Sequence, residues 1–183
     1  SREATDQDAI SYLLAEKARE GHVVARLKMG DPFLFDHGGE EALFLHEQGI
    51  PFEVVPGVPV ALATAAYAGI PLTYPAAGDT LTIVRGHEAN GGRLKVNWTH
   101  LARTDGTIVS YGGRDELRAI VRGLIDHGRP DDDRAALVLH TSLASQQTLV
   151  GTLADMAVRL DQGLDSSASL IVGKVVGLRD HLR

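Results

Sequence analysis

An α/β fold in two domains is what the hydrophobic patterning of this chain predicts, and three observations carry it. An apolar run, Val23-Val24-Ala25 with Leu27, stops at Gly30-Asp31-Pro32 and leads into Gly38-Gly39-Glu40-Glu41, a helix opening with two carboxylates in its first turn. Helix-periodic and strand-like segments then alternate along the chain, the order expected of strands linked through helices. Finally, Ile70 to Gly78 carries Pro71, Pro75 and Gly78 and reads as a linker, so the domains are expected at 1–76 and 77–183.

In order, the chain from Asp6 reads as a helix with Ile10, Leu13, Leu14 and Ala18 on one face and Gly21 in the stop position. A strand at Val23 to Leu27, of the kind buried in the middle of a parallel sheet, follows it. A helix from about Gly39 to Gln48, closed by Gly49, then leads to a strand at Phe52 to Val55. Pro56-Gly57 turns the chain into the alanine-rich segment Val60 to Ala68, whose small residues suit a helix packed closely on a neighbour. Beyond the linker, Thr80 to Arg85 reads as a strand, Glu88 to Asn97 as a polar loop, and Thr107 to Tyr111 as a strand ending at Gly112-Gly113. Glu116 to His127 is helical, with Leu117, Ile120, Val121, Leu124 and Ile125 on one stripe and Gly128 as its stop. Ala135 to Leu139 and Gln147 to Val150 read as strands, Leu153 to Leu160 as a helix and Leu170 to Val176 as a closing strand. Strands outnumber helices in this half, which predicts a mixed sheet.

Composition excludes several classes of function. With 44% hydrophobic and 23% charged residues in 183, the chain has the balance of a globular protein able to bury a core. The absence of cysteine removes disulfides, thiolate catalysis and cysteine-ligated metals. A net charge of −6, with no basic run interleaved with aromatics, argues against nucleic acid as a partner. No apolar run reaches spanning length, so a cytoplasmic location without membrane attachment is expected. The 8 histidines are scattered, with no HExxH; His87 beside Glu88 therefore reads as a loop residue, and no metal site is expected.

The string Arg26-Leu27-Lys28-Met29-Gly30-Asp31-Pro32-Phe33-Leu34-Phe35, followed by His37-Gly38-Gly39-Glu40-Glu41, resembles the signature of the tetrapyrrole methylases. Further segments resemble the same family in the same order: Val54-Val55-Pro56-Gly57, Ala66 to Thr73, Gly86-His87-Glu88, Gly106 to Gly112, Gly151-Thr152-Leu153 and Ile171 to Val176. The resemblance covers essentially the whole chain. It implies two α/β domains with the ligand cleft between them, and transfer of a methyl group from S-adenosylmethionine, leaving S-adenosylhomocysteine, to a carbon of a tetrapyrrole. The implied reaction is methylation of uroporphyrinogen III toward precorrin-2, in sirohaem or cobalamin synthesis. The alternatives are a methylase of another corrin precursor, or a non-catalytic binding module.

Residue by residue, the family's donor loop falls on Met29, Gly30 and Asp31, with Leu34, and further donor contacts fall on Pro59, Val60, Gly112 and Thr141. A methyl donor needs backbone groups close to it, and glycine allows that approach. Met29 stands where a second glycine is usual. Pro59 stands where a hydroxyl-bearing residue is usual, and removes both the hydroxyl and the N–H. Gly112 and Thr141 replace the common methionine and glycine. On the acceptor side, Tyr74-Pro75 replaces a usual His-Arg pair and His37 an arginine, so Tyr74 is expected to meet the substrate with less positive charge around it. Arg26, Lys28, Arg85, Arg93 and Lys95 are the cations nearest the motif loops. The family's opening glycine-rich unit, with its proton-transfer pair, would fall before Ser1, so no residue here is expected to act as a catalytic acid or base. A homodimer is implied, with the helix Val60 to Ala68 as a contributor to its contact.

Overall fold

The computed structural model describes residues 7–85, 96–163 and 167–182. The chain divides into two compact units, Ser1–Pro59 and Val60–Arg183, each described here by itself. The division falls ahead of the Ile70 to Gly78 segment, because the alanine-rich helix packs on the sheet of the second unit.

In the first unit, α1 (Gln7–Arg19) and α2 (Gly38–Glu47) pack through the edge-to-face pair Tyr12 and Phe44, whose ring centroids are 5.0 Å apart. Both helices stop as their glycines predict. Gly21 (φ +88°) and Gly49 (φ +67°) take left-handed conformations, and their N–H groups close on Ala18 O and His46 O at 3.0 Å each. The buried face of α1 holds Ser11 and Ala15, whereas Leu13 is exposed, so the inward stripe is rotated from the one the apolar spacing predicts.

The expected strands Val23–Leu27 and Phe52–Val55 are the main correction in this unit. Both segments are extended, yet neither joins a ladder among the described residues. Val23 is 103% and Leu27 87% exposed, the reverse of a strand buried on both faces. A strand is held by the N–H and C=O groups of a neighbouring strand, and the regular elements described in this unit are two helices.

The second unit is a five-stranded sheet in the order β1-β2-β5-β3-β4, formed by β1 (Leu81–Arg85), β2 (Thr107–Gly112), β3 (Arg134–Leu139), β4 (Gln147–Thr152) and β5 (Ala168–Val172). β1 and β2 are parallel and every other pairing is antiparallel, so the sheet is mixed as expected. Side chains alternate across it. Ile108, Leu137, Leu139, Leu170 and Val172 face α4 (Trp98–Arg103), α5 (Arg114–Asp126) and α6 (Leu153–Gln162), where Leu117, Ile120, Leu124, Met156 and Leu160 complete a core. Val109, Ala136, Val138 and Ile171 face the other way, toward α3 (Val60–Ala68) and a 3-10 turn at Lys174–Leu178 that precedes the short α7 (Arg179–Leu182). Each fully buried Leu or Ile here contributes roughly 1.5–3 kcal/mol.

Two further differences have local causes. The closing strand ends at Val172, not Val176: Gly173 (φ +142°) donates to Arg134 O at 2.9 Å, and a Cβ there would lie 2.9 Å from Gly106 O, so the chain must turn. Val175 and Val176 are buried from the 3-10 turn instead. Helix α4 was not expected at all. Its signal is Asn97, whose side chain accepts the His100 N–H at 3.1 Å in an N-cap. Most of the expected polar loop ahead of it, with His87, Glu88, Arg93 and Lys95, lies outside the described residues.

Candidate functional site

In the first unit the site is built on two loops that meet through glycine. The Asp31 carboxylate accepts the Phe33 N–H at 2.9 Å through Oδ1, and the Gly57 N–H at 3.2 Å through Oδ2. A Cβ on Gly30 (φ +79°) would lie 3.1 Å from Pro59 Cα and 3.4 Å from Val58 O, and one on Gly57 would collide with Gly30 O. Met29, Gly30, Asp31 and Pro59 are thus brought together, with Leu34 joined by its N–H to Asp31 O at 3.2 Å. The glycines serve first to let the two loops of the chain approach each other. Met29, 94% exposed, turns its side chain to solvent and leaves backbone for a ligand.

Behind this loop lies an ion-pair network. Lys28 Nζ is 3.1 Å from both Asp36 and Glu41, while Arg26 and Gln7 also donate to Glu41, at 3.2 and 2.8 Å. Burial pushes the Glu41 carboxyl up, but the hydrogen bonds from Gln7 and Lys28 and the charges of Lys28 and Arg26 hold it below the usual carboxylate range. Asp36 is likewise lowered: burial is outweighed by the His37 N–H and by Lys28 and Arg26. Arg26 and Lys28 are therefore engaged in holding the loop on α2. His37 pairs with Glu40, which offsets the charge it carries when protonated.

In the second unit, strand register gathers Gly112 and Thr141. Gly112 of β2 and Leu139 of β3 both pair with Ala168 of β5, so the C-terminal ends of β2 and β3 flank one position, and Thr141 follows two residues after Leu139. Strand ends of this kind are where α/β sheets bind ligands. Thr64, buried in α3, ties the end together: its hydroxyl is 3.0 Å from that of Thr141 and 3.1 Å from that of Ser169. Val60 opens the same helix. Arg85 ends β1 opposite Tyr111, and its Nε is buried without a hydrogen-bond partner among the described residues. Tyr74 is 49% exposed in the linker, where its carbonyl accepts the Ala77 N–H at 2.9 Å.

Thr64 and Ser169 were not singled out by sequence. The signal for Thr64 was present, as a hydroxyl among the alanines of Val60–Ala68. The small face of that helix, Ala61, Thr64, Ala65 and Ala68, packs on its own sheet, while Val60, Leu62 and Tyr67 are exposed. Two grooves lie elsewhere, one between α1 and α2 near Ser11 and Phe44, the other at the opposite end of the sheet near Gly106 and Lys174. No group of histidine and acidic residues that could hold a metal is found among the described residues, and none of their helices is long and apolar enough to cross a membrane.

Comparison with known proteins gives the site a context. The family model of the Tetrapyrrole (Corrin/Porphyrin) Methylases matches residues 1–157. A siroheme synthase of Methylococcus capsulatus is 43% identical over 183 residues, which is 100% of this chain and 39% of that one. A siroheme synthase 2 of Klebsiella pneumoniae is 44% identical over 176 residues, 96% of this chain and 38% of that one. The chain thus spans about two fifths of the length of these curated relatives. Among solved structures, uroporphyrin-III C-methyl transferase from Thermus thermophilus, complexed with S-adenosylhomocysteine, superposes with a TM-score of 0.81 at 33% identity, covering 94% of this chain and 75% of that one. A cobalt precorrin-4 methyltransferase, at 22% identity and a TM-score of 0.82 over 96% of this chain and 74% of that one, shows the shared fold.

Proposed function

The chain belongs to the tetrapyrrole (corrin/porphyrin) methylases, and from that premise we propose that it serves S-adenosylmethionine-dependent C-methylation of uroporphyrinogen III, giving precorrin-2. The observation that carries this reading is the 33% identity and 0.81 TM-score to a uroporphyrin-III C-methyl transferase whose structure holds S-adenosylhomocysteine. The siroheme synthase relatives support the same acceptor.

The donor's contacts on the first unit are the backbone of Met29 and Gly30, with Asp31, Leu34 and Pro59. On the second they are Val60, Gly112 and Thr141. These residues fit such a ligand: Met29 directs its side chain outward, Gly112 ends its strand without a side chain, and Thr141 carries a hydroxyl at a strand end. When bound, the sulfonium would supply an electrophilic methyl group: the acceptor would take it on a carbon and release a proton from elsewhere on the macrocycle, and the donor would become a thioether. The chain's task is to align donor and acceptor and exclude water. Tyr74 lies on the acceptor side, and among the described cations of the motif loops Arg85 is the one offered to a substrate carboxylate, since Arg26 and Lys28 are engaged with Glu41. A homodimer in the cytoplasm completes the proposal.

Methylation of another corrin precursor is the second reading, favoured by Tyr74-Pro75 at the acceptor loop. Transfer of radiolabelled methyl from S-adenosylmethionine separates the two. Uroporphyrinogen III as acceptor is expected to take up label; uptake by another corrin precursor in its place would move the assignment to that precursor.

A further inference from the structure

The last four carbonyls of an α-helix have no partner within it, and in α3 each of them is met. Ala65 O accepts the Ile70 N–H at 2.9 Å and Ala66 O the Gly69 N–H at 3.2 Å. The other two are capped by distant side chains. Tyr67 O accepts from Gln146 Nε2 at 3.1 Å, and Ala68 O from Arg179 Nε at 3.1 Å.

Gln146 does a second thing. Its Oε1 accepts the Ser142 N–H at 3.0 Å. One partner is a carbonyl and needs a donor; the other is an N–H and needs an acceptor. An uncharged amide offers both, whereas carboxylate has no donor and lysine or arginine no acceptor. The residue thus joins the end of α3 to the loop after β3 at the position directly following Thr141.

That loop needs holding. His140 (φ +51°) and Ser142 (φ +69°) are both left-handed without being glycine, a conformation that persists where surrounding contacts impose it. Thr141 sits between them, its hydroxyl 3.0 Å from that of Thr64 on α3. The loop is therefore tied to one helix twice, by Thr64 through the Thr141 side chain and by Gln146 through the next backbone N–H.

We infer that Gln146 is a positioning residue: it ties the Thr141 turn to α3 and so sets the second unit's contacts for the methyl donor. The inference rests on the reading of Thr141 as a donor contact. Gln146 was assigned no role by its sequence context, and it need not touch the ligand.

The test compares Gln146→Ala, Gln146→Glu and Arg179→Ala in the 183-residue chain, with S-adenosylhomocysteine as the calorimetric probe and amide exchange at Ser142 as a ligand-free measure. Gln146→Ala is expected to weaken the probe about five- to tenfold, the effect of one or two hydrogen bonds, and to speed exchange at Ser142. Gln146→Glu keeps an acceptor for Ser142 but sets a carboxylate against Tyr67 O, and is expected to weaken binding too. Arg179→Ala uncaps the neighbouring carbonyl and lowers stability alone, leaving Ser142 exchange and probe affinity near wild type. Thr64→Ser is expected to retain affinity and Thr64→Val to lose it. Wild-type affinity in Gln146→Ala, or equal losses in Gln146→Ala and Arg179→Ala, would overturn the inference. Failure of the unaltered chain to bind the probe would instead overturn the donor-site reading, and the positioning role with it.

Discussion

The carboxylate of Asp31 and the backbone N–H of Gly57 stand 3.2 Å apart, joining the two loops of the first unit for which donor contacts are proposed. The same side chain accepts from Phe33 N, so one residue holds both the turn and its neighbour. Asp31→Ala removes both bonds and is expected to lower stability by about 1–2 kcal/mol, within the range for hydrogen bonds to a charged group at a partly exposed site. Asp31→Asn keeps one acceptor and is expected to fall between. Chemical denaturation ranks the three, and an alanine variant as stable as wild type would show that the Gly57 contact contributes nothing.

Gly30 and Gly39 make opposite predictions. Gly30 is left-handed, with Pro59 Cα 3.1 Å from where a Cβ would sit, whereas nothing lies within 4 Å of a Cβ on Gly39 in the first turn of α2. Gly30→Ala is therefore expected to destabilise by about 1–2 kcal/mol and to weaken donor binding together with it, because the loop itself must shift. Gly39→Ala is expected to be neutral or stabilising by up to about 1 kcal/mol. Equal effects of the two substitutions in denaturant melts would contradict this account of the loop.

These loops also show what was legible in sequence. The turn at Gly30-Asp31-Pro32, the helix ends at Gly21, Gly49 and Gly128, and the stripe on α5 all follow from local chemistry, and the structure has them where the sequence puts them. Val23 to Leu27 misled because an apolar, β-branched run reports the burial it is suited to, while a ladder also requires a neighbour. Gly30 was read as a place for a ligand, yet its missing side chain is first needed by Pro59; a close approach in sequence does not say what approaches. Thr64, Ser169 and Gln146 come together only through tertiary structure, from a helix, a strand and a loop far apart in the chain. No spacing rule joins them.

The ion-pair network gives a pH dependence. Glu41 ionises more readily in the folded chain than at its ordinary value of 4.5, so the unfolded chain binds the proton more tightly. Its contribution is fully present above that ordinary value and is lost as pH falls through the lower folded value. Asp36, lowered from 3.8, acts in the same direction at more acid pH. Glu41→Gln leaves Lys28, 5% exposed, with Asp36 as its remaining acid partner among the described residues. The cost at neutral pH is expected to be about 2–4 kcal/mol, shrinking as pH falls from 4.5 through the lower folded value, where wild type loses the same charge. Melts of both proteins across that window check it: a gap that stays constant as pH falls would assign the loss to packing instead of charge.

Tyr74 and Pro75 set the last prediction. A phenol and a proline stand where the family resemblance has a His-Arg pair, and Tyr74 is half exposed, so replacement there disturbs no core. Uroporphyrinogen III carries many carboxylates, and each charge-assisted contact to one is worth roughly 1.5–3 kcal/mol, or about ten- to a hundredfold in affinity. The double change Tyr74→His with Pro75→Arg is expected to tighten uroporphyrinogen III within that range and to leave S-adenosylhomocysteine affinity unchanged. Pro75 also fixes the backbone before Ala76, which is left-handed at φ +68°, so Tyr74→His alone serves as the control for loop rigidity. The gain of the double change should shrink as salt is raised, because screening weakens exposed charge pairs. No gain at low salt, or the same gain for an acceptor without carboxylates, would mean that this loop does not read the acceptor's charge.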